Sequence, residues 1–447
     1  MEATVSLREE VTDLLQRLIR IDTVNPPGNE TKAAELLREY LESNGVRCEL
    51  YAKFPERANL VARIPGTGDG PRLALLSHTD TVLADPAEWQ LDPWSGELRD
   101  GEVWGRGALD MKGQVAASAV TMASLARDGF EPGGDLIFIA EADEEMGTER
   151  AGLPYLCEEH PDAVRAEYAL NEGGGDRLQF GGQVLYLCAT AEKMSSPFRL
   201  RVRGRSGHGS MPGIADNALL KAAKLIERLG ELKFEPRLGP ETKAFFEVVS
   251  DGKAPAAEDA LAFAKGAHPL GAELLEPLLA MTVAPTMIEA SKKRNVIPAL
   301  CEITVDCRLL PEQTQAEAEQ LIRAQLGDDG YELEWVEGHG GSRSPIDTPC
   351  RPTLSRALFI IVNIARMPPC SGPISQPVAP PLSPNASHWM RAAFGTVAYG
   401  FFPMRMMEAE LALRLIHSAD ERAAVEDLEL GVRFLRHAAE AIGRLRP

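Results

Sequence analysis

The sequence predicts an α/β protein whose first domain is interrupted by an inserted α+β segment. In the first 195 residues, short apolar runs alternate with helical stretches, which is typical of a sheet covered by helices on both faces. Near residue 196 the pattern changes to period two, as in Phe198–Arg203, which indicates a strand with one solvated face. We therefore expect residues 1–195 and 341–447 to form one domain and residues 196–340 to form the insert.

The first domain is predicted to open with a helix, because Ser6 and Glu9 form a capping box before an apolar stripe. A turn-rich break at 22–30 then precedes a second helix. The elements predicted for this domain after the break are a helix from about Lys32 to Ser43, strands at Leu60–Ile64, Leu73–Ser77 and Leu136–Ala140, a helix near Val115–Arg127, and a final helix at about Val425–Leu445. Ligand sites in such sheets lie at the carboxyl ends of the strands.

The insert combines alternating strands with helices of 3.6-residue period. Besides Phe198–Arg203, the predicted strands are Met281–Ala290, Leu300–Leu309 and Tyr331–Val336, and the predicted helices are Asn217–Gly230 and Thr314–Leu326. The Pro-rich stretch 368–384, after the insert, is predicted to be an irregular loop.

Composition and charge exclude several classes of function. The formal net charge of −19 over 447 residues argues against binding to nucleic acid or to an anionic membrane surface. No apolar run approaches the roughly 18 residues of a membrane span, and the first residues do not resemble a signal peptide. The seven cysteines are scattered and odd in number, which favours reduced thiols and a cytoplasmic location.

Histidine and acidic residues follow the predicted strands, where a metal site is easiest to build. In His78-Thr-Asp80 both side chains share one side of an extended backbone, so Asp80 can hold the second ring nitrogen of a histidine ligand. The adjacent Glu144 and Glu145, taken as extended, would point in opposite directions, one toward a metal and the other toward a reacting water. The further candidates are Asp110 in a glycine-rich segment, Glu172 before three glycines, and His417.

Each candidate also has an ordinary structural explanation. A His-x-Asp triplet is more often a surface pair, an acidic doublet is usually solvated, Asp110 suits a turn, and His417 suits a helix cap. His208 could be a polar loop residue and Arg308 a charge on a surface strand. The joint pattern is harder to explain in this way, because the candidates recur at strand ends.

The order of these motifs resembles the M20 metallopeptidase family, which includes aminoacylases, acetylornithine deacetylase, succinyl-diaminopimelate desuccinylase and glutamate carboxypeptidase. The matching segments are SHTDTV (77–82), GRGALDMKG (105–113), EADEEMG (141–147), NEGGG (171–175), GHGSMP (207–212), RNVIPA (294–299), DCRLLP (306–311) and HSADER (417–422). The resemblance implies a discontinuous zinc-peptidase catalytic domain with an inserted, ferredoxin-like dimerisation domain, and hence a homodimer.

The resemblance also implies the roles of individual residues. Two Zn²⁺ ions per chain, for which Co²⁺ or Mn²⁺ could substitute, would be bridged by Asp110. One zinc would add His78 and Glu172, and the other would add Glu145 and His417. Nitrogen and oxygen ligands without thiolate suit zinc in an open catalytic site. Glu144 would be the general base, and the peptide bond after Asp110 would be cis.

Substrate binding is expected to involve the insert. By the same resemblance, His208 would reach the active site of the partner subunit and donate to the oxyanion. Asn295 and Arg308 would hold the carboxylate of the substrate, for which the planar guanidinium is well suited, and Arg343 is a further candidate. The expected function is cleavage of the amide bond of an N-acyl amino acid or short peptide, a small-molecule substrate.

Two segments depart from the family pattern and leave the substrate open. Residues 385–387 read Asn-Ala-Ser where the family usually has Thr-Asp-Ser, and Lys193–Pro197 is also unusual for the family. A dipeptidase that also recognises a free amine remains an alternative. A non-catalytic metal-dependent binding protein is another, although such a protein would need the ligands but not Glu144. A purely structural module does not explain the set of ionisable residues.

Overall fold

The computed structural model describes residues 5–250, 252–346, 348, 378–379 and 387–445 of the chain. These residues form two compact units. The first contains the described residues up to Thr190 and those from Ser344 onward, and the second contains Ala191–Arg343. The α/β fold class predicted from the sequence is confirmed. Apart from residues 378–379, the Pro-rich stretch 368–384 and the departure at 385–386 lie outside the described residues.

The first unit is built on an eight-stranded sheet with the order β1-β2-β6-β3-β7-β20-β10-β19. Strand β3 lies between β6 and β7 and runs parallel to both, so the centre of the sheet is parallel. The described strands of this unit are β1 (Arg47–Ala52), β2 (Ala58–Ile64), β3 (Leu73–His78), β4 (Glu97–Arg99), β5 (Glu102–Trp104), β6 (Leu136–Glu141), β7 (Tyr168–Asn171), β8 (Arg177–Phe180), β9 (Gln183–Tyr186), β10 (Cys188–Ala189), β19 (Val378–Ala379), β20 (Val397–Gly400) and β21 (Arg422–Ala424).

Both faces of this sheet are covered, because alternate residues of one strand enter two different apolar cores. Leu73 and Leu75 of β3 pack into the core that also contains the long helices of the unit. Leu76, on the opposite face of β3, packs with residues of the short helices α4, α5 and α11. The described helices of the unit are α1 (Leu7–Ile19), α2 (Glu30–Ser43), α3 (Lys112–Arg127), α4 (Leu153–Glu159), α5 (Pro161–Val164), α11 (Ser387–Phe394), α12 (Ala409–Leu415) and α13 (Val425–Ile442).

The predicted start of the first helix is confirmed. The Ser6 hydroxyl accepts a hydrogen bond from the main-chain N–H of Glu9, and the Glu9 carboxylate accepts one from the N–H of Ser6. Helix α3 is buried along almost its whole length, since α1 and α13 pack against it on one side and the sheet lies on the other. Helix α3 begins two residues after Asp110, so this buried helix fixes the position of the chain close to Asp110.

The second unit has the one-sided sheet that period-two patterning predicts. Strand β16 pairs with β12 along one edge and with β14 along the other, and its odd-numbered residues from Cys301 to Leu309 are buried. The strands are β11 (Met194–Ser195), β12 (Phe198–Arg203), β13 (Gly207–His208), β14 (Thr282–Glu289), β15 (Val296–Ile297), β16 (Leu300–Leu309), β17 (Glu332–Trp335) and β18 (His339–Gly340).

Three helices of the second unit were not predicted from the sequence. They are α7 (Pro240–Val249), α8 (Ala260–Ala267) and α9 (Gly271–Leu279), and they lie between the predicted helices α6 (Ala218–Gly230) and α10 (Gln315–Leu326). None of the helices in the described ranges combines the length and apolar character needed to cross a membrane.

Candidate metal centre

Three neighbouring strands of the first unit end at the same edge of the sheet and bring histidine and acidic residues together there. Strand β3 ends at the buried His78, and β7 is followed directly by Glu172. On the other side of β3 from β7, β6 ends at Glu141, opposite His78 in the register, and a turn with Glu144 and Glu145 follows. Because these strands are parallel, their carboxyl ends converge, which is where ligand sites of open α/β sheets form.

Asp110 lies between two histidines, and each of its carboxylate oxygens faces a different one. Oδ1 is 3.2 Å from Nε2 of His78, and Oδ2 is 3.2 Å from Nε2 of His417. On the first side, Oε2 of Glu172 is 3.7 Å from Nε2 of His78. On the second side, Oε2 of Glu145 is 3.1 Å from Nε2 of His417. The cluster therefore has two halves that share Asp110.

Glu144 lies next to the half that contains His78. Potential ligand atoms of His78, Glu144 and Glu172 all lie within 4.8 Å of one another, and those of His78, Asp110 and Glu145 form a second such group. Glu144 is thus close enough to bind a metal ion itself or to exchange a proton with a molecule bound beside one.

Asp80 is fully buried and contacts both His78 and the turn that carries the two glutamates. Its main-chain oxygen is 3.1 Å from Nδ1 of His78, and its Oδ1 is 3.5 Å from the same nitrogen. Its two carboxylate oxygens accept the main-chain N–H groups of Glu144 and Glu145, at 3.2 and 3.1 Å. Asn25 donates a further hydrogen bond of 2.9 Å. Through its main-chain oxygen and its carboxylate, this one residue therefore fixes a histidine and two candidate metal-site glutamates relative to each other.

The expectation that Glu144 and Glu145 lie in an extended segment is wrong. Both lie in a turn, and the residue before them, Asp143, has a φ of 60°. The Asp143 carboxylate accepts hydrogen bonds from Arg57 at 3.2 Å and from the main-chain N–H of Glu149 at 3.1 Å, which closes the loop. The directions of the two glutamate side chains are thus set by a turn that hydrogen bonds hold in place, not by the alternating sides of a strand.

The electrostatics of the cluster fit a bound divalent cation. Burial raises the pKa of Glu144 well above its usual value, and the nearby carboxylates of Glu172 and Glu145 raise it further. Hydrogen bonds to Asp110 and Glu145 raise the pKa of His417 to about 10. Oε1 of Glu145 is buried and accepts no hydrogen bond from the described residues, although buried polar atoms rarely lack a partner. Imidazole and carboxylate donors in this number suit zinc or a similar ion, which would satisfy the spare acceptor and offset the crowded negative charge.

Residues 74–441 match the sequence family described as peptidase family M20/M25/M40. The chain belongs to this family. It is accordingly a hydrolase of a metal-dependent peptidase family, and the resemblance drawn from its motifs is confirmed. The peptide bond between Asp110 and Met111 is cis, as expected from the M20 resemblance.

Curated relatives include enzymes that act on acylated amino acids. The N-fatty-acyl-amino acid synthase/hydrolase PM20D1 of Xenopus tropicalis is 28% identical over 454 residues, covering 96% of this chain and 85% of the relative. A succinyl-diaminopimelate desuccinylase of Thioalkalivibrio sulfidiphilus is 26% identical over 340 residues, covering 74% of this chain and 77% of the relative.

Solved structures of a metallo-carboxypeptidase and of a dipeptidase share the fold. The M20 family metallo-carboxypeptidase Sso-CP2 from Sulfolobus solfataricus superposes with a TM-score of 0.73 at 17% identity, covering 98% of this chain and 100% of that one. Human carnosine dipeptidase 1 gives a TM-score of 0.69 at 16% identity, covering 98% of this chain and 97% of that one.

Two of the candidate residues in the insert lie close together, one on strand β13 and the other directly before strand β15. His208 is on β13, which pairs with β15, and the N–H of Gly209 donates to the main-chain oxygen of Asn295 at 2.8 Å. Both side chains are exposed, and Nδ1 of His208 lies 2.7 Å from the hydroxyl of Ser210. The Ser210 hydroxyl contacts Nδ1 of His208, which leaves the other ring nitrogen, Nε2, outside this contact.

The two candidate arginines lie in the second unit and already contact carboxylates of that unit. Arg308 donates two hydrogen bonds to Asp306, at 2.9 and 3.0 Å. Nε of Arg343 lies 3.5 Å from carboxylate oxygens of both Glu241 and Glu312. For either arginine to bind a substrate carboxylate, that carboxylate would have to join or replace these contacts.

Sequence reasoning missed two residues whose side chains hold parts of the candidate site in place, Asn25 and Glu421. Asn25, in the segment interpreted only as a break, donates to Asp80 and also to Asp143 at 3.1 Å. Glu421 lies four residues after His417 in the segment HSADER (417–422), but the family resemblance implied no role for it. Its position in that motif was the available signal, whereas nothing local to Asn25 indicates partners so distant in sequence.

Proposed function

We propose that this protein is a co-catalytic dizinc amidohydrolase that cleaves the amide bond of N-acyl amino acids or short peptides with a free carboxylate. The observation that carries the proposal is the position of Asp110, whose two carboxylate oxygens face two different histidines. Such a carboxylate suits two cations about 3.5–4 Å apart, as in other two-metal hydrolytic sites.

The ligands divide between two metal positions. His78 and Glu172 would hold one ion, Glu145 and His417 would hold the other, and Asp110 would bridge them. When bound, the two ions supply Lewis acidity, which makes water more acidic and polarises the scissile carbonyl. Asp80 keeps the ring of His78 and the turn of Glu145 in place, so the ligands are positioned before a metal arrives.

Glu144 is the proposed general base and acid. Its carboxylate accepts a proton from the attacking water while the water oxygen bonds to the carbonyl carbon. It then delivers the proton to the leaving nitrogen as the carbon–nitrogen bond breaks, giving a carboxylate and an amine. Its burial beside Glu172 and Glu145 favours the protonated form that this second step requires. A metal-binding protein without catalysis would have no use for this residue.

Substrate binding is assigned to the second unit. We propose that His208 of one protomer donates to the oxyanion formed in its partner, while Asn295 and Arg308 hold the substrate carboxylate, with Arg343 as a further contact. The main rival is a dipeptidase, which would also bind a free amine. The names of the curated relatives favour acylated amino acids, whereas carnosine dipeptidase 1 has a similar fold.

A homodimer would form through the exposed edge of the second unit. Strand β14 pairs with β16 on one side only within the described residues, and it exposes Met287 and Ile288 by 60% and 47%. Leu219 and Leu220 at the start of α6 are also exposed, and α6 packs against β14. An apolar edge strand of this kind invites pairing with another chain. A second copy could pair with it through the same surface on both protomers.

A hydrolysis screen tests this function. Purified protein with added zinc or cobalt would be given N-acetyl, N-succinyl and long-chain N-acyl amino acids, their amidated counterparts without the carboxylate, and unmodified dipeptides. We expect release of amino acid from one acyl class and loss of activity with the amidated counterpart. A preference for dipeptides would favour the rival. No turnover in the whole panel by metal-loaded protein would contradict the proposal.

A further inference from the structure

The segment that follows His417 is held by distant parts of the first unit. Asp420 accepts hydrogen bonds from the main-chain and side-chain N–H groups of Gln90, both at 2.8 Å. Arg422 donates to the carboxylate of Glu102 at 3.0 Å. These contacts are at the exposed or half-buried edge of the segment, and between them lies a residue that is fully buried.

That residue is Glu421, and its carboxylate is surrounded by donors from the chain that leads to Asp110. Oε1 accepts the main-chain N–H groups of Leu109 and Asp110, at 2.7 and 2.8 Å. Oε2 accepts the N–H of Gly107 at 2.9 Å and a guanidinium N–H of Arg106 at 2.7 Å. Hydrogen bonds to a carboxylate are stronger than those between neutral groups, so four of them restrict the positions of the donors closely.

We propose that Glu421 is a positioning residue that couples the two halves of the metal centre, an inference that rests on the dizinc site proposed above. Through the chain, Glu421 is four residues from His417, and through its hydrogen bonds it holds the backbone of Asp110, 311 residues away. His417 and Asp110 face the same metal position. Glu421 therefore sets the distance between two ligands without contacting a metal or substrate itself.

Substitution of Glu421 should lower the affinity of the protein for zinc. Residues that orient metal ligands typically change affinity or activity by roughly 10–100-fold when they are substituted. Glu421→Gln is nearly isosteric, but its amide NH₂ would face two N–H donors, at least one of them from the main chain, so two of the four hydrogen bonds are lost and the segment near Asp110 can shift. Because Asp110 belongs to both halves, zinc should bind more weakly at both positions.

A purely structural role would give a different result, and the chain offers a matched control. Asp427 is also buried, at 3% exposure, and its carboxylate also accepts three main-chain N–H groups, those of Arg405, Met406 and Met407. None of these donors is a proposed ligand. Asp427→Asn therefore removes a comparable network from the same unit without acting on the metal centre directly.

Zinc affinity of wild type, Glu421→Gln and Asp427→Asn would be measured by competition with a chromophoric chelator, alongside the melting temperature of each metal-free protein. We expect Glu421→Gln to bind zinc at least about 10-fold more weakly than wild type. We expect Asp427→Asn to melt earlier but to keep wild-type affinity.

Wild-type affinity in folded Glu421→Gln would overturn the proposal, as would equal weakening in Asp427→Asn. If Glu421→Gln does not fold, Glu421→Asp decides the question, because it keeps the charge but is one methylene too short to reach all four donors. Intermediate weakening there supports the proposal, and unchanged affinity overturns it. Failure of the wild type to bind zinc would instead overturn the metal centre on which it rests.

Discussion

Acidic side chains in the first unit have different roles because their hydrogen-bond partners differ. The oxygens of Asp80 and Glu421 are occupied by main-chain and side-chain donors, so neither is free to bind a metal ion. Asp110 instead faces two histidines, and Glu145 keeps a buried oxygen that accepts no hydrogen bond from the described residues. The number of hydrogen bonds that each carboxylate accepts thus distinguishes Asp80 and Glu421, which hold other groups in place, from Asp110 and Glu145, which are available as metal ligands.

Asp110→Ala should remove both metal ions together, because each half of the centre loses a ligand that the remaining pair cannot replace. Zinc content after dialysis, measured by mass spectrometry, is expected to fall from two equivalents per chain toward none. Asp135→Asn is a suitable control, since Asp135 bonds to Arg63 and the N–H of Gly66. Retention of one full equivalent in Asp110→Ala would contradict a shared ligand.

Glu144→Gln should keep the metals but lose the chemistry. The amide cannot accept and return a proton, so kcat is expected to fall by roughly 10²–10⁴-fold, toward the upper end because one group serves both steps. Zinc content and kcat would be measured on the same sample. Turnover close to wild type would refute the mechanism. Loss of zinc would show that Glu144 is a ligand, with the roles of Glu144 and Glu145 exchanged.

At the scale of elements, two of the three strands that build the site, β3 and β6, are the ones that sequence predicts best. The runs that became β3 and β6 are buried on both faces, so they are apolar throughout and easy to recognise. Asp110 could be placed in a glycine-rich segment and Glu172 before three glycines, whereas His417 was recognised from the segment that contains it. The turn of Glu144 and Glu145 could not be predicted, because it is set by distant contacts such as that of Asp143 with Arg57.

Lys193 links the start of the second unit to the end of α9 and should make that region sensitive to pH. Its amine donates to the main-chain oxygens of Pro277 and Ala280, at 2.8 and 2.9 Å, and burial lowers its pKa to about 7. An unfolded lysine keeps its proton to about pH 10.4, so between these values the unfolded state binds more protons and stability rises with pH.

Lys193→Met removes this linkage. The melting temperature of wild type relative to Lys193→Met should therefore increase as pH rises from 7 to 10, and the difference should be flat below pH 7. Lys224→Met, an exposed lysine of α6, is the control and should show no such trend. A wild-type advantage that stays constant from pH 7 to 10 would mean that the Lys193 pKa is not lowered in the folded protein.

For the whole molecule, the sequence predicted an interrupted α/β chain but not all of the insert. The change from long apolar runs to period-two strands marks the second unit, because its sheet has one covered face. Helices α7, α8 and α9 escaped prediction since each is at most 10 residues long and α9 contains Pro277, so their periodicity is too short to recognise. A role that depends on a second protomer, such as that of His208, was predicted only through the family resemblance, because the residues of one chain do not indicate it.

The proposed role of His208 across a dimer interface is best tested by complementation between two inactive proteins. His208→Ala alone should lower kcat by roughly 10²–10³-fold, the scale for losing one oxyanion donor, while zinc content stays unchanged. In a heterodimer of His208→Ala with Glu144→Gln, one active site combines an intact Glu144 with an intact His208 from the partner. The other site lacks both. Mixed chains should recover up to about a quarter of wild-type activity, because random exchange makes half of the dimers mixed and each mixed dimer has one working site.

Subunit exchange would be followed by mass spectrometry of differently tagged chains. A mixture of His208→Ala with itself is the control and should recover nothing. Recovery that grows with the heterodimer fraction supports a site built from two protomers, because neither chain alone carries both groups. If exchange is complete and no activity returns, His208 acts within its own chain or outside catalysis. The exposed edge of β14 would then need another explanation.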